Sequence, residues 1–199
     1  MKNILFTLAL LISFSSFGQT AQDFFNSGND KADAKDYYGA ISDYTESIEL
    51  NPNESSAYFY RGVSKALLKD YSGAISDYSK AIELTPNDAD YYFERGTRKD
   101  DLNDYYGAIS DFSKAIELTP NDAAAYSNRG NSKNNLKDYS GAIVDLNKAI
   151  NLDPNFASAY YNRAISKYYI NNLNAACKDA RKSWDLGNPF PEMIKAACN

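Results

Sequence analysis

The sequence predicts an all-α protein, an α-solenoid of about five antiparallel helix pairs stacked in a row. The strongest observation is a glycine that recurs at a constant interval, with an alanine in the fifth copy. The glycine column reads Gly28, Gly62, Gly96, Gly130 and Ala164. A self-similar unit of about 34 residues is typical of stacked helix–turn–helix arrays, which usually hold other molecules on their surface and lack a catalytic pocket.

Further columns, meaning positions that recur at this same interval, repeat in register with the glycine. The alanine column is Ala40, Ala74, Ala108, Ala142 and Ala176, the aspartate column is Asp43, Asp77, Asp111, Asp145 and Asp179, and the proline column is Pro52, Pro86, Pro120 and Pro154. These columns divide the chain into units 21–54, 55–88, 89–122, 123–156 and 157–190.

Within unit 55–88 the sequence predicts a first helix over Ala57–Leu68, a turn at Lys69-Asp70-Tyr71 and a second helix over Ser72–Leu84. The second helix carries apolar residues at helical spacing. Pro86 disfavours helical backbone at the residue before it and so ends the unit. We expect the acids that precede the turn tyrosines to cap the second helices. They are Asp36, Asp70, Asp104 and Asp138.

A glycine in mid-helix costs about 0.5–1 kcal/mol relative to alanine. Its repetition predicts a close helix crossing, with Ala74 as the small residue that faces Gly62. Large rings such as Tyr58, Tyr71 and Tyr78 surround this contact and are expected to supply most of the buried apolar area. A single hairpin of this length cannot enclose a core, since chains below about 40 residues rarely fold alone. Neighbouring units must therefore stack.

These motifs resemble the tetratricopeptide repeat (TPR) family. The resemblance covers residues 21–190 and rests on the glycine, the turn tyrosine, Gly-Ala-Ile and Leu-x-Pro-Asn, which recur in register. It implies a right-handed solenoid whose first helices line a concave groove for a protein or peptide partner. Residues 191–199 resemble the capping helix that covers the end of such an array.

Two basic columns depart from the family pattern, in which similar places hold Leu and Tyr. They are Arg61, Arg95, Arg129 and Arg163, and Lys31, Lys65, Lys99, Lys133 and Lys167. One interpretation is a basic ladder that binds phosphate or carboxylate ligands. The other, which we favour, is ion pairing with the aspartate column, because Arg suits buried carboxylate pairing. The first unit has Ser27 in place of Arg.

The resemblance places one face of the first helices in the concave groove. The candidate partner-binding residues are Phe25, Phe59, Tyr60, Val63, Phe93, Asn131, Tyr161, Asn162, Ile165 and Tyr168. Exposed rings in a groove suit an extended peptide or a partner helix, although the same rings could instead pack against neighbouring helices. Asn131 and Asn162 match two asparagines of the carboxylate clamp found in some TPR co-chaperones, but the lysine expected near Ser127 is absent.

Residues 1–18 read as a signal peptide, with Lys2, an apolar stretch and a small-x-small pattern ending at Gly18. We therefore expect a secreted or periplasmic protein, in which Cys177 and Cys198 form a disulfide. Two buried thiols are the alternative. Because the chain has no histidine and only 2 cysteines, we expect no enzyme, cofactor or metal site.

The acidic balance, 26 Asp+Glu against 21 Lys+Arg, disfavours nucleic acid as a partner because like charges repel. A protein or peptide partner is the leading expectation. A glycan or cell-wall-binding module that uses the groove tyrosines is one alternative. A structural solenoid that associates with further copies of itself is another.

Overall fold

The helices form in pairs because a short turn in each unit ends one amphipathic helix and starts the next. The computed structural model describes residues 19–198. The helices are α1 (Ala21–Asp33), α2 (Tyr37–Leu50), α3 (Ser55–Leu67), α4 (Tyr71–Leu84), α5 (Ala89–Asp101), α6 (Tyr105–Leu118), α7 (Ala123–Asn135), α8 (Tyr139–Leu152), α9 (Ala157–Tyr169), α10 (Leu173–Asp185) and α11 (Glu192–Lys195), followed by a 3₁₀ turn at Ala196–Cys198. Within this range the chain is all-α, and the predicted solenoid is confirmed. The signal-peptide segment 1–18 and residue 199 lie outside the described residues.

A three-residue turn joins the two helices of each unit. In the second unit Lys69 has a left-handed backbone with φ of 65°, and the Asp70 amide donates to the Lys65 carbonyl over 2.9 Å. This hydrogen bond satisfies a carbonyl that would otherwise be left free at the end of α3. The Asp70 side chain then accepts from the amide of Gly73 at 3.0 Å and caps α4. The predicted caps are therefore confirmed, and one aspartate both ends the first helix and starts the second.

The same turn occurs in all five units. The left-handed residues are Lys35, Lys69, Asn103, Lys137 and Asn171. The predicted helix limits differ from the observed ones by one or two residues, since α3 already begins at Ser55 and α4 at Tyr71. Tyr71 is thus the first residue of a helix and does not belong to the turn.

The predicted close crossing at Gly62 is present, but Ala74 is not its nearest neighbour. A Cβ atom placed on Gly62 would stand 2.8 Å from the ring of Tyr78 and 3.3 Å from the carbonyl oxygen of Ala74. The glycine is needed because the large side chain of Tyr78, from the second helix of the same unit, lies across its Cα. Ala164 can replace glycine in the fifth unit because the residue facing it is Ala180.

Neighbouring units share one apolar core, as the short hairpin requires. Ala142, Leu146 and Ala149 of α8 pack with Ala159 of the following unit, and all four are fully buried. At the fifth unit Ile194 of α11 takes over this role within the described residues and packs on Ala164, Ala176 and Ala180. A disulfide between Cys177 and Cys198 holds this C-terminal cap to α10, with 5.4 Å between the two Cα atoms.

The first helices line the inner side of the array. Each packs against the first helix of the next unit, whereas successive second helices make no such contacts within residues 19–198. The array therefore curves with the first helices on its concave face. None of the helices over that range is both long and apolar enough to cross a bilayer.

We predict that Gly62→Ala lowers the free energy of unfolding by about 1–3 kcal/mol, because the added methyl group overpacks the contact with Tyr78. The comparison is the same change made in a Tyr78→Ala background, where alanine should stabilise α3 by about 0.5–1 kcal/mol through helix propensity. Urea denaturation followed by circular dichroism measures both. The same sign of effect in the two backgrounds would contradict this account of the glycine column.

Candidate functional site

The inner groove, defined as the concave surface formed by α1, α3, α5, α7 and α9, has an aromatic half and a polar half. The aromatic half spans the first three units. Phe25, Phe59 and Phe93 are half-buried and lean on the second helix of their own unit. Their ring centroids lie 5.6–5.8 Å from those of Tyr44, Tyr78 and Phe112, respectively. These rings form the floor of the groove and present only part of their surface to a partner.

Tyr60 is the most exposed ring among the predicted groove residues of these units, with 42% of its surface accessible. It lies between α1 and α3, and its ring contacts Phe25 edge-on at 5.7 Å. A cavity of about 300 Å³ opens beside it, lined also by Asn29 and Asp33. Phe59 continues the aromatic surface toward the third unit by packing on Tyr91 at 4.8 Å. Tyr60 therefore presents an exposed ring to the groove while it also packs on Phe25, Tyr44 and Phe59.

Serine and asparagine replace the rings in the fourth unit, and the fifth has Tyr161 in the ring column. The buried Ser127 occupies the column of Phe25, Phe59 and Phe93. Asn131 lines a small cavity of about 80 Å³ between α5 and α7. Asp100, in the same cavity, accepts a hydrogen bond from Ser132 of the next unit at 2.5 Å, and burial raises its pKa. This part of the groove offers amide and carboxyl groups where the first units offer rings.

Val63 is half-buried on α3. The other predicted groove residues lie on α9, which is joined to α7 by hydrogen bonds. Asn134 donates to the Asn162 carbonyl oxygen at 3.0 Å and accepts from Ser166 at 2.7 Å. Tyr161, Asn162 and Ile165 are half-buried in this stretch. Tyr168 packs against the core of the C-terminal cap. Tyr168 therefore helps to cover the C-terminal end of the array and also lies at the end of the groove.

A charged cluster on α5 is a feature that the sequence analysis missed. The Glu94 carboxylate lies 3.9 Å from Arg98, and Arg98 also pairs with Asp101 at 3.0 Å. Burial raises the pKa of Glu94. The Arg98 Nε and the Tyr78 hydroxyl are buried without a hydrogen-bond partner among the described residues. The signal was present in the sequence, since Arg98 stands in a column whose other members are Asp30, Ser64, Ser132 and Ser166.

The basic columns are structural, as the favoured interpretation predicted. Arg95 makes a two-pronged contact with Asp111, at 2.9 Å from Nε and 2.7 Å from an Nη atom, and Lys99 adds a third bond to the same carboxylate at 2.8 Å. The other Nη atom of Arg95 donates to Ser79 of the preceding unit at 3.1 Å. Arg61, Arg129 and Arg163 repeat this arrangement. Both cations of each unit are bound to one buried carboxylate, so the columns hold the helices together and do not form a free ladder for anionic ligands.

The model of the TPR repeat family matches residues 66–97, 101–136 and 131–168. No match was found among curated proteins. Many solved structures share the fold, and three of them serve as examples. A structure of MamA protein is 22% identical with a TM-score of 0.79, and the alignment covers 83% of this chain and 91% of that chain. MamA 41-end from Desulfovibrio magneticus RS-1 is 20% identical with a TM-score of 0.81, covering 85% and 96%.

The third structure is YrrB, described as a TPR protein with an unusual peptide-binding site. It is 23% identical with a TM-score of 0.77, and the alignment covers 88% of this chain and 90% of that chain. At these identities the likeness establishes the fold.

We predict that Arg95→Glu lowers the free energy of unfolding by about 3–5 kcal/mol, because it leaves the Asp111 carboxylate, with only 5% of its side chain exposed, facing a second negative charge. Lys148→Glu makes the same change of charge at an exposed position of α8 and should leave stability within about 0.5 kcal/mol of the parent chain. Thermal melts compare the two. An unchanged melting temperature for Arg95→Glu would contradict the structural role and favour the interpretation that the basic column binds anionic ligands.

Proposed function

The chain belongs to the tetratricopeptide repeat family, and from this premise we propose that it is a non-enzymatic scaffold holding an extended segment of a partner protein in its inner groove. The observation that carries the proposal is the contrast between the columns. Residues that pack the helices together recur in every unit, whereas the groove positions change from unit to unit. Packing requires the same residues each time, but recognition of one particular partner does not.

The two halves of the groove suit different parts of an extended peptide. Apolar side chains of the partner fit the aromatic half around Tyr60, Phe59 and Phe93. An extended backbone also brings amide and carbonyl groups that need hydrogen-bond partners. Asn131 and Asn162 in the polar half carry side-chain amides that both donate and accept. The described peptide-binding site of YrrB is consistent with such use of this fold.

We further propose that the protein works in the cell envelope or outside the cell. The signal-peptide pattern of residues 1–18 and the Cys177–Cys198 disulfide support this, since structural disulfides persist in oxidising compartments. The chain has no histidine, and no group of three or more Cys, Asp or Glu side chains within residues 19–198 is placed to hold a metal ion. A protein that only holds a partner requires neither a histidine nor a metal ion.

We predict that Tyr60→Ala weakens partner binding by about tenfold or more, the cost expected when a contact ring is lost from an interface. The full chain is used to capture the partner, the captured protein is identified by mass spectrometry, and titration calorimetry with the bound segment gives Kd. Asn131→Ala should also weaken binding, with helicity unchanged. Phe59→Ala is less informative because that ring also supports Tyr78 and Tyr91.

Tyr106→Ala is the matched control, since Tyr106 is a 78% exposed tyrosine on a second helix, away from the groove. It should leave Kd unchanged. Equal losses for Tyr60→Ala and Tyr106→Ala would argue against the inner groove. Retention of the chain on cell-wall polysaccharide, with no protein captured, would favour glycan binding in its place.

For the location, we predict that the full chain expressed in a bacterial host is recovered outside the cytoplasm as a species that begins at Gln19 and contains no free thiol. Intact mass spectrometry before and after reduction and alkylation measures both properties. A cytoplasmic product that keeps residues 1–18 and carries two free thiols would reject the proposal.

A further inference from the structure

The outer end of the last unit leaves exposed a surface that the four earlier units bury or half-bury. The residues concerned form the column Ile48, Ile82, Ile116, Ile150 and Trp184. In the earlier units this column lies beneath the next hairpin: Ile48 and Ile116 are only 8% and 9% exposed, and Ile82 and Ile150 are half-buried. Trp184 holds the same position in the last unit and is 60% exposed. The C-terminal cap packs on Ala164, Ala176 and Ala180 but leaves this tryptophan open.

A groove of about 530 Å³ surrounds this tryptophan, and we call it the Trp184 groove. Its apolar part is formed by Trp184, Pro189 and Phe190, and its rim by Arg181 and by Lys195, which pairs with Glu192 at 3.2 Å. A second cavity, of about 580 Å³, shares Arg181 and adds Lys178, Lys182 and Asp185. The surface is thus an apolar patch whose rim carries four cations and two carboxylates, and its net positive charge fits a partner with an apolar side chain among acidic residues.

The opposite end of the same chain carries the complementary charge. Unit 21–54 has eight Asp and Glu against two Lys, a net charge of −6, whereas unit 157–190 has five Lys and Arg against two Asp, a net charge of +3. First and second helices contribute equally to this difference. One exposed column reads Glu46, Lys80, Lys114, Lys148 and Lys182.

Within residues 19–198 the acidic residues on α2 form no ion pair of the kind found in the second and third units. Lys80 pairs with Glu83 at 2.8 Å, and Lys114 pairs with Glu117 at 2.7 Å. In α2 the corresponding positions are Glu46 and Glu49, two exposed like charges one helical turn apart. Such a pair is destabilising in an isolated helix. Tyr38, about two turns earlier on the same face, is 77% exposed and supplies an apolar group.

We propose that the Trp184 groove of one copy receives the acidic face of α2, formed by Tyr38, Glu46 and Glu49, from a second copy. The aromatic ring of Tyr38 then covers Trp184, while the glutamates meet Arg181 and the neighbouring lysines. A second copy is the favoured occupant because the two faces have opposite charge, and the Glu46–Glu49 pair and the tryptophan each occur in an end unit alone among the five units. The second and third units pair the equivalent positions as lysine and glutamate, and the fourth has Lys148 and Asn151 there.

This contact is heterologous, since it joins two different faces of the same molecule. Each added copy brings a new free groove and a new free acidic face. The copies therefore extend head to tail, as an open row or as a ring if the rotation closes. The contact leaves the inner groove free, so it is independent of the proposed peptide binding.

Self-association of the purified full chain is measured by sedimentation velocity over a range of concentrations. At low ionic strength we expect the mean mass to rise with concentration. It should fall toward that of a monomer in 1 M salt, where charges are screened within about 3 Å. Trp184→Ala should raise the dissociation constant about 30-fold, the equivalent of the roughly 2 kcal/mol of a hot-spot tryptophan.

Mixing two neutralised variants distinguishes head-to-tail growth from other assemblies. Glu46→Gln/Glu49→Gln removes the acidic face, and Arg181→Gln/Trp184→Ala removes the groove. Each variant alone should be monomeric. An equimolar mixture should give one 1:1 complex that does not extend, because each variant contributes the one intact face that the other lacks.

The control is Glu83→Gln/Glu117→Gln, which removes the same charge from the same column as Glu49 but from inner units. It should associate like the parent chain. Three results would overturn the proposal: a parent chain that is monomeric at every concentration, a control that dissociates as the neutralised variants do, or a mixture that forms no complex. Circular dichroism verifies that each variant keeps its helicity.

Discussion

A buried carboxylate in each second helix determines how neighbouring helices are held. The aspartate column has between 3% and 11% of its side chains exposed, and a charge taken out of water at such a position requires partners. Arginine supplies two hydrogen bonds within the unit, and its remaining nitrogen reaches a hydroxyl or amide of the preceding unit. The same side chain therefore closes its own hairpin and sets its position on the one before.

The first unit shows the importance of the contact that the arginine makes with the preceding unit. No unit precedes it within the described residues, and Ser27 replaces the arginine. Burial acts to raise the pKa of Asp43, but hydrogen bonds from Lys31 and Ser27 outweigh it and the net shift is downward. In this unit the bonds from Lys31 and Ser27, both within the unit, are sufficient to hold the buried carboxylate. The departure of this unit from the column thus follows from its place at the end of the array.

The constant repeat interval was sufficient to predict the helix pairs, their order and the glycine crossing, because all three depend on spacing alone. The neighbour of the glycine was not predicted correctly, since the choice between Ala74 and Tyr78 depends on how far a ring extends across a crossing. A comparison of the glycine column with the residues that face it would have identified the neighbour. Glycine accompanies Tyr, Phe or Leu at the facing position of the second helix, and Ala164 accompanies Ala180. The left-handed turn residue was missed, because three of its five members are lysines, which have no preference for that backbone, although Asn103 and Asn171 in the same column do favour it.

The site was less predictable than the fold because one helix position decides whether a ring faces a groove or a neighbouring helix. Phe59 and Tyr60 are adjacent in the sequence, yet Phe59 supports the core and Tyr60 is open at the surface. The resemblance places both on the inner side and does not separate them. Glu94 and Arg98 were missed because the search followed residues that repeat. Departures from a column were the better indication of unit-specific chemistry.

The two ends of the array cover their outer surfaces in different ways. One buried column of the inner units reads Ala57, Tyr91, Ala125 and Ala159. The first unit has Asp23 there, exchanging hydrogen bonds with Thr20 at the start of α1, so its outer surface is made polar. The last unit keeps an apolar surface and covers it with α11. That helix has 4 residues, whereas an inner first helix has 13. A cap of this length cannot cover the whole area that a full hairpin buries, and Trp184 lies in the part that it leaves open.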